Sequence, residues 1–156
     1  MKLSNTIYAM NIAIDTLIKR IDSKECNDKE IHYYLGTALL WTGLTLEKIE
    51  NSGIEFTIEE KGKTTAFKGA NNALKHLENL VKLDLTEYGF RFDESHWPLV
   101  FEQYIRWGSV DNIKEITHDY QKKAYKKYLE GKSIENTFKD IKEIINKKCI
   151  LLESLD

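Results

Sequence analysis

The stretch IHYYLGTALLWTGLTLEKI, residues 31–49, decides the fold class. Within it Ile31, Tyr34, Leu35, Ala38, Leu39, Thr42, Leu46 and Ile49 recur at three- and four-residue steps, the repeat of one face of an α-helix. Leu40, Trp41 and Leu44 add apolar surface outside that stripe, which predicts central burial or a partner surface. Cys26-Asn27-Asp28 breaks the pattern ahead of the helix and supplies its cap, and Gly53 ends it.

Working outward, Ile7, Met10, Ile14, Leu17, Ile18 and Ile21 form a second helical stripe, with Ser4 or Asn5 available as a cap. Ile54, Phe56 and Ile58 alternate with polar residues, which predicts a short strand or extended segment. A third helix is expected over residues 64–84, turning Phe67, Ala70, Leu74, Leu77, Leu80 and Val81 inward. Residues 85–107 are less regular. Tyr88, Phe90 and Phe92 alternate around Gly89 and Arg91, which predicts an extended pair beside residues 54–58, followed by a short helix from Pro98. A fourth long helix is expected over residues 111–130, closed by Gly131. Ser133 caps a last helix carrying Ile134, Phe138, Ile141 and Ile145 inward. With no repeat or linker in view, the expectation is one mainly α domain over residues 1–156: a bundle of about five helices with a minor two-stranded β element.

Composition narrows the function classes. Hydrophobic residues make up 42% and charged residues 31% of the 156, which excludes a disordered tail and a collagen-like chain. The two cysteines, Cys26 and Cys149, are far apart and form no CxxC pair, so neither a disulfide framework nor a thiolate zinc site is expected. No apolar run has bilayer-spanning length and no signal-peptide core opens the chain; the expected compartment is the cytoplasm, with no membrane partner. A net charge of −2 gives no global attraction for nucleic acid and leaves room only for a local basic face.

Most chemical motifs fail on their own requirements. Gly62-Lys63-Thr64-Thr65 has the ending of a phosphate-binding loop, but Thr57 stands where the first glycine belongs. Glu115 and His118 have the spacing of a ferritin-like ligand pair. Such a site takes a second pair and two further carboxylates, and His32, His76 and His96 each lack the matching glutamate. No Gly-x-Ser-x-Gly elbow is present, and neither cysteine has a neighbouring histidine. No metal, no cofactor and no DNA-reading motif is therefore expected. Lys122-Lys123-Ala124-Tyr125-Lys126-Lys127-Tyr128 is different: a lysine-rich helix with interleaved tyrosines suits RNA phosphates and bases, although composition alone favours a solvated face whose lysine stems cover apolar surface.

Phe67-Lys68-Gly69-Ala70-Asn71-Asn72-Ala73-Leu74-Lys75-His76 is the most distinctive segment. On one continuous helix Asn72 and His76 share a face, with Asn71 beside them. The segment resembles the HEPN group of all-helical domains, whose motif is an arginine, usually a polar residue next, then three residues and a histidine. Asn71-Asn72-Ala73-Leu74-Lys75-His76 keeps that spacing with Asn71 in the arginine's place, and the resemblance extends over residues 30–110.

The resemblance implies a homodimer and a metal-independent ribonuclease, in which a ribose 2′-hydroxyl attacks its own phosphodiester. His76 carries over as the general acid–base and Asn72 as the orienting residue. Asn71 is neutral and cannot offer a phosphate two charged N–H groups, and Lys75 or Lys68 would have to replace the cation. With the arginine missing, Asn71, Asn72 and His76 read first as a hydrogen-bonded polar seam, and non-catalytic relatives act as binding modules or antidotes. Arg91 and His96 repeat the spacing with the cation present and form a reserve pair. Trp97, Phe101 and Tyr104 recur at helical spacing as core, while Trp41, Trp97 and Trp107 are candidates for a partner interface. The leading expectation is a HEPN-like protein- or RNA-binding module of phage-defence or toxin–antitoxin type. The alternatives are a ribonuclease and a phage-encoded inhibitor or other pure interaction protein.

Overall fold

Two reciprocal caps set where the central helices begin. The Asn27 side chain accepts from the Glu30 N–H at 3.0 Å, and the Glu30 carboxylate accepts from the Asn27 N–H at 3.2 Å. Thr57 and Glu60 exchange the same pair at 3.2 and 2.8 Å. Each closes two otherwise orphaned donors at a helix start. The computed structural model describes residues 1–23, 27–87 and 101–153. Cys26, Tyr88, Phe90, Arg91, Phe92, His96, Trp97 and Pro98 lie outside the described residues.

The elements run α1 (Leu3–Asp22), α2 (Asp28–Asn51), α3 (Ile58–Asn72), a 3-10 turn (Leu74–His76), α4 (Leu77–Leu80), β1 (Val81–Glu87), β2 (Phe101–Trp107), a second 3-10 turn (Val110–Asn112), α5 (Asp119–Tyr128) and α6 (Ile134–Glu153). The fold is mainly α with one two-stranded antiparallel sheet, as the sequence led us to expect. α1 packs on α2 and α6, and α3 lies between α2 and α5. Among the described residues, no helix is long and apolar enough to cross a membrane.

Several boundaries differ from the sequence expectation. α1 starts with Lys2 as an uncapped N-cap, so Ser4 and Asn5 lie inside its first turn. Ile54 and Phe56 form no strand, because Thr57 caps α3 there and leaves Ile58 94% exposed. The helix expected to run to residue 84 stops at Asn72, and Val81 opens β1 instead. β1 pairs not with residues 54–58 but with β2, from Val81 opposite Trp107 to Glu87 opposite Phe101. Phe101 and Tyr104 therefore stand on a strand rather than a helix. The helix expected from residue 111 begins only at Asp119. Before it, an irregular segment buries Ile113 and Ile116, while Glu130 accepts from the Val110 N–H at 2.8 Å. Gly53 and Gly131, at φ of 78° and 69°, end their helical segments in the left-handed region that glycine enters freely.

The last helix follows expectation: the Ser133 hydroxyl accepts from the Asn136 N–H, and Ile134, Phe138, Ile141 and Ile145 are fully buried. Phe138 joins Phe67, Trp107 and Tyr125 in the centre of the core. The Trp107 ring stacks on Phe138 with centroids 5.9 Å apart and meets Phe67 and Tyr125 edge-on at 5.9 and 6.2 Å. The indole N–H donates to Thr137 Oγ1 at 2.7 Å, and the Tyr125 hydroxyl donates to the Gly108 carbonyl at 3.1 Å. Burial, reinforced by the Glu130 carboxylate, pushes the Tyr125 phenol far above its ordinary range, so it stays a neutral donor.

Trp107 links β2, α3, α5 and α6 in this cluster. Trp107→Ala is expected to cost about 3–5 kcal/mol in a denaturant titration, the range for emptying a buried aromatic site.

Candidate functional site

The motif segment does not lie on one helix. Two successive asparagines are weak helix formers whose side chains compete for backbone partners. α3 ends on the second of them, Asn72, and Ala73 leaves helical geometry at φ −94°, ψ 13°. His76 sits at the end of the following 3-10 turn and, being exposed, points to a different neighbourhood. Its Nε2 lies 3.3 Å from Glu115 and its Nδ1 3.6 Å from Glu78. The helical face shared by Asn72 and His76 in the sequence reading is therefore not formed.

The two asparagines face α2 and α5. Asn72 donates to Gln121 Oε1 at 3.1 Å. Asn71 is half-buried, and its Oδ1 is buried with no hydrogen-bond partner among the described residues. Its amide lies against Gly43 so closely that a Cβ there would come within 2.7 Å of Asn71 Nδ2. A buried, unpartnered amide oxygen costs about 1–3 kcal/mol and marks the place as unusual. Lys68, one turn earlier on α3, is paired with Glu50. Lys75 is exposed at the 3-10 turn, so neither lysine stands in the position of an arginine at residue 71.

These groups border a cavity of about 270 Å³, walled on the α2 side by Leu40, Gly43, Leu44 and Glu47. A second hollow of about 570 Å³ adjoins it, lined in part by Lys61, Thr65, Phe56 and Tyr120. Lys68 and Gln121 line both. Gln121 is a site residue that the sequence reading missed. It shares the inward face of α5 with Ala124 and Tyr125, and a glutamine on a buried stripe was the available signal.

The lysine helix forms largely as expected. Lys122, Lys123, Lys126 and Lys127 are all exposed on α5, opposite the face that buries Gln121, Ala124 and Tyr125. Lys122, Lys123 and Lys126 have no acidic partner among the described residues, and Lys127 lies over the Tyr128 ring at 5.0 Å. Asp119 supplies one carboxylate at the start of the same helix. Tyr120, 62% exposed, stacks on His118 at 5.5 Å on the flank of this face.

Other candidates move or fall away. Trp107 is fully buried and cannot serve as a partner surface; its ring is consumed by the core. Trp41 is half-buried against that core from α2. Trp97, Arg91 and His96 lie outside the described residues. His118 is the N-cap of α5 and Glu115 precedes it on irregular chain, so their spacing is not a helical ligand pair. Among the described residues, no group of three or more His, Cys, Asp or Glu side chains could hold a metal ion.

No protein-family model, no curated protein and no solved structure matches the chain.

His76→Ala removes an exposed imidazole that lies beside the Glu115 and Glu78 carboxylates. It is expected to change the stability measured by thermal melting by less than about 1 kcal/mol.

Proposed function

We propose that the chain is a degenerate HEPN-like helical module that binds RNA through the solvent face of α5 and does not cut it at residues 71–76. The supporting observation is the lysine face itself. Four lysines project from one ten-residue helix, three of them unpaired among the described residues, beside an exposed tyrosine. Unpaired lysines bring condensed counterions off a phosphate backbone, and an exposed ring stacks on unpaired bases.

Against cleavage stand the missing cation at Asn71 and the position of His76 between Glu115 and Glu78, on a different element from Asn72. Lys68, which lines the cavity with Asn71, is already paired with Glu50, so a transition-state charge there would meet no unpaired cation among the described residues. Homodimerisation belongs to the same reading. Tyr8 and Ile12 stand one turn apart on α1 at 70% and 48% exposure, an apolar pair available to a second copy. In sedimentation runs, Ile12→Glu is expected to convert a dimer to a monomer; a wild-type monomer at all concentrations sinks that element.

Fluorescence anisotropy with single-stranded RNA over a salt series tests the main claim. Binding is expected to weaken linearly in log K against log salt. Each Lys→Ala change among Lys122, Lys123, Lys126 and Lys127 should make that slope shallower by about 0.7. Absence of binding at low salt, or slopes untouched by the substitutions, refutes it. Intact RNA after prolonged incubation is the expected companion result.

A further inference from the structure

The three tyrosines of α5 have different fates. Tyr125 is fully buried, and Tyr128 lies so close to α3 that a Cβ on Gly62 would collide with its ring. Tyr120, in the first turn, keeps 62% of its surface in water and borders the hollow of about 570 Å³. Its ring is nonetheless held. His118 stacks on it with centroids 5.5 Å apart and planes inclined by 24°. His118 is itself exposed and is the N-cap of α5, yet its side chain makes no capping hydrogen bond. The imidazole braces the phenol instead.

The place of this pair on the helix ties it to the lysines. Tyr120, Lys123 and Lys127 follow one another at steps of three and four residues and so form one row along α5. Lys123 stands only about 4.5 Å further along the axis than Tyr120. A base lying on the ring therefore has a lysine row beside it for the phosphates of its own strand.

We infer that the His118–Tyr120 pair is a stacking platform for an unpaired base, and that the RNA held by α5 is single-stranded rather than duplex. Tyr120 makes the contact, and His118 is a positioning residue that fixes the plane of its ring. Inside a duplex each base is covered by its neighbours and the lysines meet phosphates alone. An unpaired base offers its π-face whatever its identity, so the platform selects the state of the strand and not its sequence. This inference deepens the RNA-binding reading of α5 and rests on it.

Anisotropy titrations at fixed salt compare three RNA probes with equal numbers of phosphates: a single strand, a hairpin duplex and an abasic strand. The wild-type protein is expected to bind the single strand about tenfold more tightly than the abasic strand, within the range that stacking of one base contributes. Tyr120→Ala should remove that factor and leave the abasic and duplex affinities, the salt slope and the melting temperature unchanged. Tyr120→Phe, which keeps the ring, should bind as the wild type does. His118→Ala should weaken single-strand binding by about threefold, in keeping with the worth of one aromatic pair, and His118→Phe should restore it. A Tyr120→Ala effect that is absent, or equal on the abasic strand, overturns the inference and leaves the α5 reading standing. So does a Tyr120→Phe variant as weak as Tyr120→Ala, which would assign the contact to the hydroxyl. Failure of the wild type to bind any of the three probes at low salt overturns both.

Discussion

The burial of Trp107 with its N–H satisfied is the constraint on which the rest of the structure depends. An indole taken wholly out of water must find an acceptor, and Thr137 on α6 supplies it. The same residue's backbone N–H donates to the Lys132 carbonyl at 3.0 Å, and its own carbonyl accepts from the Gly131 N–H at 3.0 Å. One side chain and one peptide therefore clamp the end of β2 to the turn between α5 and α6. The next residue, Gly108, donates to the Leu80 carbonyl at 2.8 Å, and a Cβ there would stand 2.4 Å from the Asn79 carbonyl oxygen. Only glycine permits that approach, which ties the end of α4 to the end of β2.

This tie shapes the polar segment. The chain must leave α3, pass through a 3-10 turn and α4, and arrive at β1 in register with Trp107. A continuous helix would have stacked Asn72 and His76 on one face. The broken path instead leaves Asn71 against α2 and Asn72 against α5, and carries His76 to Glu115 and Glu78. The six-residue spacing is present in the sequence, but the chain path separates its residues in space.

What the sequence made legible follows from the same physics. The stripes of α2 and α6 are long, and their periodicity outweighs every competing signal, so the residues expected inward are found buried, with Tyr34 only half-buried. The exposed lysines of α5 were readable because charge on a helix has one economical place to go. Three failures have one cause, an apolar rhythm along the chain that capping or tertiary packing uses otherwise. Leu74, Leu77, Leu80 and Val81 continue the rhythm of α3 across a helix end and into a strand. Ile113 and Ile116 keep the rhythm of a helix while irregular chain delivers them to the core. Ile54, Phe56 and Ile58 alternate, but the Thr57–Glu60 box fixes a helix start among them. The meeting of Asn71, Gln121 and Gly43 was not readable at all, because nothing local records which helices pack together.

Residue 71 is a neutral amide, where the proposed family reading would place a cation. A cation beside Gly43 would be costly to bury without a fixed counter-charge, and the narrow gap leaves little room for a longer side chain. An amide fits the space, carries both donor and acceptor, and discriminates by shape and hydrogen-bond pattern rather than by charge. Charge is displaced to α5, where lysines remain in water and act on a phosphate chain of any sequence. In the proposed reading α5 holds the strand by its charge, independent of sequence.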